Sequence, residues 1–234
     1  MSRHIHPVFC AIDTPDLANA RALADVAAEA GFGIKLGKEF FAANGPQGVR
    51  EVREPGTPLF LDVKFHDIPN TVAGAIRSAA ALAPTFITVH ASGGPAMLRA
   101  AAAAAAEFGQ VRPKLLGVTV LTSLDAGDLA ATGVTGGVEQ QVMRLGRLAV
   151  DCGFDGLICA PQEIMPLRAA LGSEVTLVVP GIRPAGSAAG DQKRVMTPRE
   201  ALEAGADWLV IGRPITAAPD PAAACGALAA EIAV

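Results

Sequence analysis

The segment FLDVKFHDIPN, residues 60–70, decides the reading of this chain. Phe60, Leu61, Val63 and Phe65 belong in a buried β-strand, yet Asp62, Lys64, His66 and Asp67 fall within the same few residues. Alternation reconciles the two. Successive side chains point to opposite faces of a strand, so Asp62 and Lys64 share one face, about 6 to 7 Å apart along it, while Leu61, Val63 and Phe65 share the other. A strand with an apolar outer face, and with charge inside near its C-terminal end, suits a barrel whose mouth holds a site.

Outward from this segment the same unit repeats. Apolar or β-branched runs predict strands at residues 7–13, 33–37, 58–64, 86–91, 114–121, 156–160, 175–180 and 208–212. Ala-rich stretches with helical spacing predict helices near 15–30, 38–53, 69–83, 94–108, 138–152, 162–171, 198–205 and 218–232, several followed by a Gly such as Gly31, Gly109, Gly153 or Gly205. Eight strand-then-helix units without a linker or charge block predict a single (β/α)8 TIM barrel domain over residues 1–234. An open doubly wound sheet is the alternative, but its edge strands would be more polar than these. The run Ala100 to Ala106 reads as a strong helix former lying close to a sheet. The glycines of GFGIKLG, residues 31–37, have the wrong spacing for a dinucleotide loop and precede a strand instead of following one.

Composition removes several function classes. Hydrophobic residues make up 51% and charged residues 18%, with a formal net charge of −4, which predicts no polyanion-binding surface and hence no nucleic-acid partner. No apolar run approaches the roughly 18 residues needed to span a bilayer, so no membrane role and a cytoplasmic location are expected. Cys10, Cys152, Cys159 and Cys225 form no C-x-x-C pair and read as small buried hydrophobes.

A barrel builds its active site from the C-terminal ends of its strands and the loops beyond them. Applied here, that filter selects Asp13, Lys35, Asp62 and Lys64, His90, Thr122 and Ser123, Arg183, and Arg213. A self-satisfying ion pair is the competing reading of Asp62 and Lys64. Replacing a buried ion pair by packed apolar groups is often neutral or stabilising, so stability alone is a weak reason to keep one. With Lys35 and Asp13 at the same end, four charges converge on one mouth, which favours a site. VIGRPI, residues 210–215, places Gly212 and Arg213 where a strand opens into a helix, an arrangement suited to an anion; barrels commonly bind phosphate after their last two strands. The Gly-containing stretch 182–195 is long enough for a lid that would bring Arg183 and Gln192 onto that phosphate. No metal-ligand spacing and no nucleophile elbow appear, so the site reads as free of metal and cofactor.

FLDVKFHDIPNTV resembles the D-x-K-x-x-D signature of the orotidine 5′-phosphate decarboxylase family. AID, IKLG, VTVLTS, PGIRP, DQKRV and VIGRPI are similar to the accompanying family blocks in the same order, from about Pro7 to Ile215, and the likeness is nearest to the bacterial form. The resemblance implies a homodimeric barrel that removes CO2 from a small-molecule nucleotide, orotidine 5′-phosphate, giving UMP in pyrimidine synthesis without a cofactor. It implies Lys64 as proton donor within a charge array of Lys35, Asp62, Lys64 and Asp67. Asp67 and Thr71 would reach the partner subunit's site. Asp13 and Lys35 match ribose contacts, Thr122 and Ser123 a pyrimidine-binding turn, and Arg183, Gln192, Gly212 and Arg213 the phosphate and lid positions. Some family members hold the phosphate partly through a Tyr; this chain has none.

Two other functions compete. A Mg²⁺-dependent sugar-phosphate decarboxylase or aldolase of the same superfamily shares D-x-K-x-x-D, but its pattern puts an acidic residue where Lys35 stands. A non-catalytic phosphate-ligand sensor has no reason to keep four clustered charges.

Overall fold

A computed structural model describes residues 5–184 and 196–233. Its strands are β1 (Val8–Ile12), β2 (Gly33–Gly37), β3 (Leu59–Phe65), β4 (Phe86–His90), β5 (Lys114–Val118), β6 (Gly156–Ile158), β7 (Thr176–Pro180) and β8 (Trp208–Ile211). Each pairs in parallel with the next, and β8 returns to β1 to close the barrel. The helices among the described residues are α1 (Leu17–Glu29), α2 (Lys38–Val52), α3 (Pro69–Ala80), α4 (Gly94–Ala106), α5 (Ala126–Ala131), α6 (Val138–Asp151), α7 (Ile164–Leu171), α8 (Pro198–Glu203), α9 (Arg213–Thr216) and α10 (Pro221–Ile232). The chain is a (β/α)8 barrel, as its alternating runs predicted.

Differences from the sequence expectation are local. α5 was not predicted, because six residues are too short to display a 3.6-residue period, whereas α9 is the helix into which β8 was expected to open at Arg213. The predicted fifth strand ends at Val118, leaving Thr122 and Ser123 in the loop beyond it. α2 is interrupted at Gly45, with Pro46 restarting the helix from a position where no backbone donor is required.

Two apolar clusters follow from strand alternation. Inside the barrel Phe9, Phe60, Phe86, Leu116, Val178 and Val210 form a plug, with Trp208 packed against it. The Phe9 ring meets Phe60 and Phe86 edge to face at 5.5 and 5.7 Å. Gly33 makes that possible: a Cβ there would lie 2.5 Å from the Phe9 ring. Outside the barrel, Leu61 and Val63 face the helix shell, where Ala101, Ala104 and Ala105 of α4 are fully buried. The Ala-rich run therefore brings a helix close to the sheet. No helix among the described residues is long and apolar enough to cross a membrane.

Candidate active site

The inner faces change character toward the C-terminal end of the strands. On β3 the inward series runs from Phe60 to Asp62 to Lys64, and on β4 from Phe86 to Thr88 to His90. Lys35 comes from the middle of β2, and Asp13 lies one residue past β1. Lys35 Nζ donates to Asp13 Oδ1 at 2.9 Å and stands 3.7 Å from Asp62 Oδ2; Lys64 Nζ donates to that same Asp62 oxygen at 2.7 Å. Asp62 is thus shared by two ammonium groups, and its other oxygen, Oδ1, accepts from the Thr88 hydroxyl at 2.9 Å. Gly37 leaves room for the array. A Cβ there would stand 2.9 Å from Asp13 Oδ1 and 3.1 Å from Lys35 Nζ.

Burial pushes the Asp62 carboxyl toward protonation, but the charges of Lys35 and Lys64, with hydrogen bonds from Lys64 and Thr88, outweigh it. The net direction is downward, so Asp62 is an anion near neutral pH. The β3 alternation is less regular than its sequence suggests. Leu61 pairs with Ile87 but Phe65 with Val89, so β3 bulges between them, and Lys64 adopts the left-handed backbone (φ 50°) unusual outside glycine. Strained backbone of this kind concentrates at functional sites.

On the β7 and β8 side, Arg183 is buried and donates to the Ile182 carbonyl at 2.9 Å. Burial, and then the neighbouring positive charge of Arg213, push its guanidinium pKa down. Two like charges held close together in a cleft form a natural anion seat. Gly212 caps α9, which opens with Arg213. Asp13, Lys35, Asp62, Lys64, Thr122, Ser123, Arg183, Gly212 and Arg213 all line one cleft of about 580 Å³. Its apolar wall is built from Val118, Val120, Ile158 and Val210. A groove of about 660 Å³ on the outside of α6, from Glu139 to Asp151, is lined by that helix alone and converges no such groups.

Among the described residues, the predicted Asp67, Thr71 and His90 do not line the cleft. Asp67 is exposed between β3 and α3, its Oδ1 accepting from the Ile68 backbone at 2.6 Å, and Thr71 is exposed in the first turn of α3. Gln192 lies outside the described residues. Sequence reading missed Thr88, Gly37 and Thr216. Thr88 stands one inward position below His90, so following alternation deeper than the strand end would have found it. His90 itself faces His66, with ring centroids 5.4 Å apart. Among the described residues, no three His, Cys, Asp or Glu side chains come together as a metal site.

Fold and cleft together define a (β/α)8 barrel whose mouth sets a lysine–carboxylate array against an arginine pair. Residues 6–228 match the model of the "Orotidine 5′-phosphate decarboxylase / HUMPS family", and the chain belongs to that family. It is 55% identical to an orotidine 5′-phosphate decarboxylase of Rhodospirillum rubrum over 232 residues, covering 97% of this chain and 94% of that one. It is 53% identical to one of Moorella thermoacetica, covering 96% and 91%. A crystal structure of the enzyme from Lactobacillus acidophilus superposes with a TM-score of 0.86 at 36% identity, covering 97% of this chain and 99% of that one.

Proposed function

We propose that this chain decarboxylates orotidine 5′-phosphate to UMP and CO2, using its own side chains and no cofactor. The observation that carries the reading is the Lys35–Asp62–Lys64 array in the same cleft as the Arg183 and Arg213 pair. Loss of CO2 from carbon 6 leaves a lone pair in the plane of the pyrimidine, where the ring π-system cannot delocalise it. The catalyst must then meet that charge with a preorganised cation in a pocket largely closed to water. Lys64 fills this role. Its side chain is 24% exposed, and Asp62 holds it by a 2.7 Å hydrogen bond.

Asp62 aims the Lys64 side chain, and Lys64 then delivers a proton to carbon 6. Placed beside the departing carboxylate, the Asp62 anion also favours its leaving as neutral CO2. Lys35 and Asp13 bind the ribose hydroxyls, and Thr122 and Ser123 the pyrimidine edge. The phosphate sits on Arg183, Gly212 and Arg213, so binding far from carbon 6 serves the chemistry there. The exposed Asp67 and Thr71, next to an Ile68 that is 67% exposed, fit a homodimer in which both reach the partner's cleft.

The test is a spectrophotometric assay on orotidine 5′-phosphate with and without a chelator, repeated on dilution of the enzyme. Turnover indifferent to the chelator and falling as dimers dissociate supports the reading. No turnover rejects the substrate, a Mg²⁺ requirement favours the sugar-phosphate chemistry, and a fully active monomer rejects the shared site.

A further inference from the structure

Thr88 is buried in the middle of β4, beneath the array, and makes two hydrogen bonds in opposite senses. Its hydroxyl accepts from the Lys64 backbone N–H at 2.9 Å and donates to Asp62 Oδ1 at 2.9 Å. The first bond answers the β3 bulge. Where β3 slips against β4 between Leu61 and Phe65, the Lys64 N–H is held by a side chain, at the residue whose φ is 50°. The second bond fixes the rotation of the Asp62 carboxylate, because Oδ1 is taken by Thr88 and Oδ2 faces Lys64 and Lys35.

We infer that Thr88 is a positioning residue for the decarboxylation, fixing both the backbone that carries Lys64 and the carboxylate that aims its ammonium. The inference rests on the proposed decarboxylase reading. A single hydroxyl couples these two functions because it has one proton and lone pairs to spare. With its proton committed to Asp62, it presents a lone pair to the Lys64 N–H, and the two bonds orient each other. A valine matches threonine in shape but can make neither bond. Without them the bulge can relax and the carboxylate can rotate, which moves the Lys64 ammonium relative to the reacting carbon. Misplacement of a catalytic group by an ångström is enough to cost on the order of a hundredfold in rate. Substrate contacts elsewhere in the cleft would be unaltered, so the loss belongs in kcat and not in KM.

The experiment compares wild type, Thr88→Val and Thr88→Ser in steady-state kinetics on orotidine 5′-phosphate, with a pH profile of kcat and a thermal melt for each. The expected result is a kcat for Thr88→Val lower by about tenfold to a hundredfold with KM within about twofold, and recovery of most of it in Thr88→Ser. The acid limb of the Thr88→Val profile should move to higher pH, since a hydrogen bond favouring the Asp62 anion has gone. A residue that only packs would lower the melting temperature and leave the limb in place. If Thr88→Val does not fold, Thr88→Cys, with a weak donor of similar size, takes its place with the same signs expected. A folded variant that keeps wild-type kcat, or a serine variant as impaired as the valine one, overturns the inference. Absence of turnover by the wild type overturns the decarboxylase reading instead, and the two failures are distinct.

Discussion

Charged groups are paired at both ends of this barrel, and the two ends use them differently. At the N-terminal end Asp155, just before β6, accepts from both nitrogens of Arg112 at 2.9 and 2.6 Å and from the Leu115 backbone of β5 at 2.8 Å. Asp207, just before β8, repeats the device, accepting from Arg168 at 2.7 Å and from the Leu177 backbone of β7 at 2.7 Å. In each case an arginine–carboxylate pair is tied to main chain, so it staples one strand to the next. At the C-terminal end the cations paired with Asp62 are lysines, that carboxylate binds side chains only, and Lys64 opens on a cleft that Arg183 and Arg213 also line. The lesson is that an arginine–carboxylate pair anchored to the backbone of the neighbouring strand holds the fold, and an ammonium turned toward open space marks charge kept for a ligand.

Removing one charge at each end separates the two uses. Lys64→Ala is expected to lower kcat by about a thousandfold or more, since only the transition state needs the ammonium at carbon 6. Its melting temperature should change little, because a partly exposed lysine contributes little to stability. An unchanged kcat in the folded variant would remove Lys64 from the mechanism. Asp155→Ala is the opposite case. It strands the Leu115 N–H and the Arg112 guanidinium, so a loss of about 2 kcal/mol in denaturant unfolding is expected, with kcat intact. A kinetic defect at full stability would show that the lower end is not merely structural.

This contrast also explains what could be read in advance. The eight strands and the convergence of Asp13, Lys35, Asp62, Lys64 and Arg213 were legible because apolar period and strand polarity are properties of adjacent residues. Asp155 and Asp207 were silent, since an Asp before a strand looks like any loop residue until Leu115 or Leu177 is seen to pair with it. The left-handed backbone of Lys64 was hidden by a sequence that alternates faultlessly through the bulge. Thr88 was passed over for a related reason: a small polar residue in a β-branched strand is unremarkable, and its importance comes from two partners 24 and 26 residues away. Asp67 was legible only through the family resemblance, because one subunit leaves it exposed and outside the cleft.

The smallest expected effect sets the upper end's histidine against its carboxylate. Burial, then the positive charge of His66, Lys38 and Lys64, push His90 down to about 4, with Asp62 opposing them. The unfolded chain titrates its histidine near pH 6.5, so between about 6.5 and 4 it binds the proton that the folded protein refuses. Stability therefore falls as the pH drops through that window, gently, because His90 is only half-buried and solvent softens the effect. Asp62 behaves in the other sense. With its pKa depressed in the fold, its contribution persists above the unfolded value near 4 and fades only below it. Melting temperatures measured from pH 7 to 4 should then decline in the wild type and decline less in His90→Gln. Equal slopes in the two proteins would mean that the array, not the histidine beside it, sets the acid sensitivity of this end of the barrel.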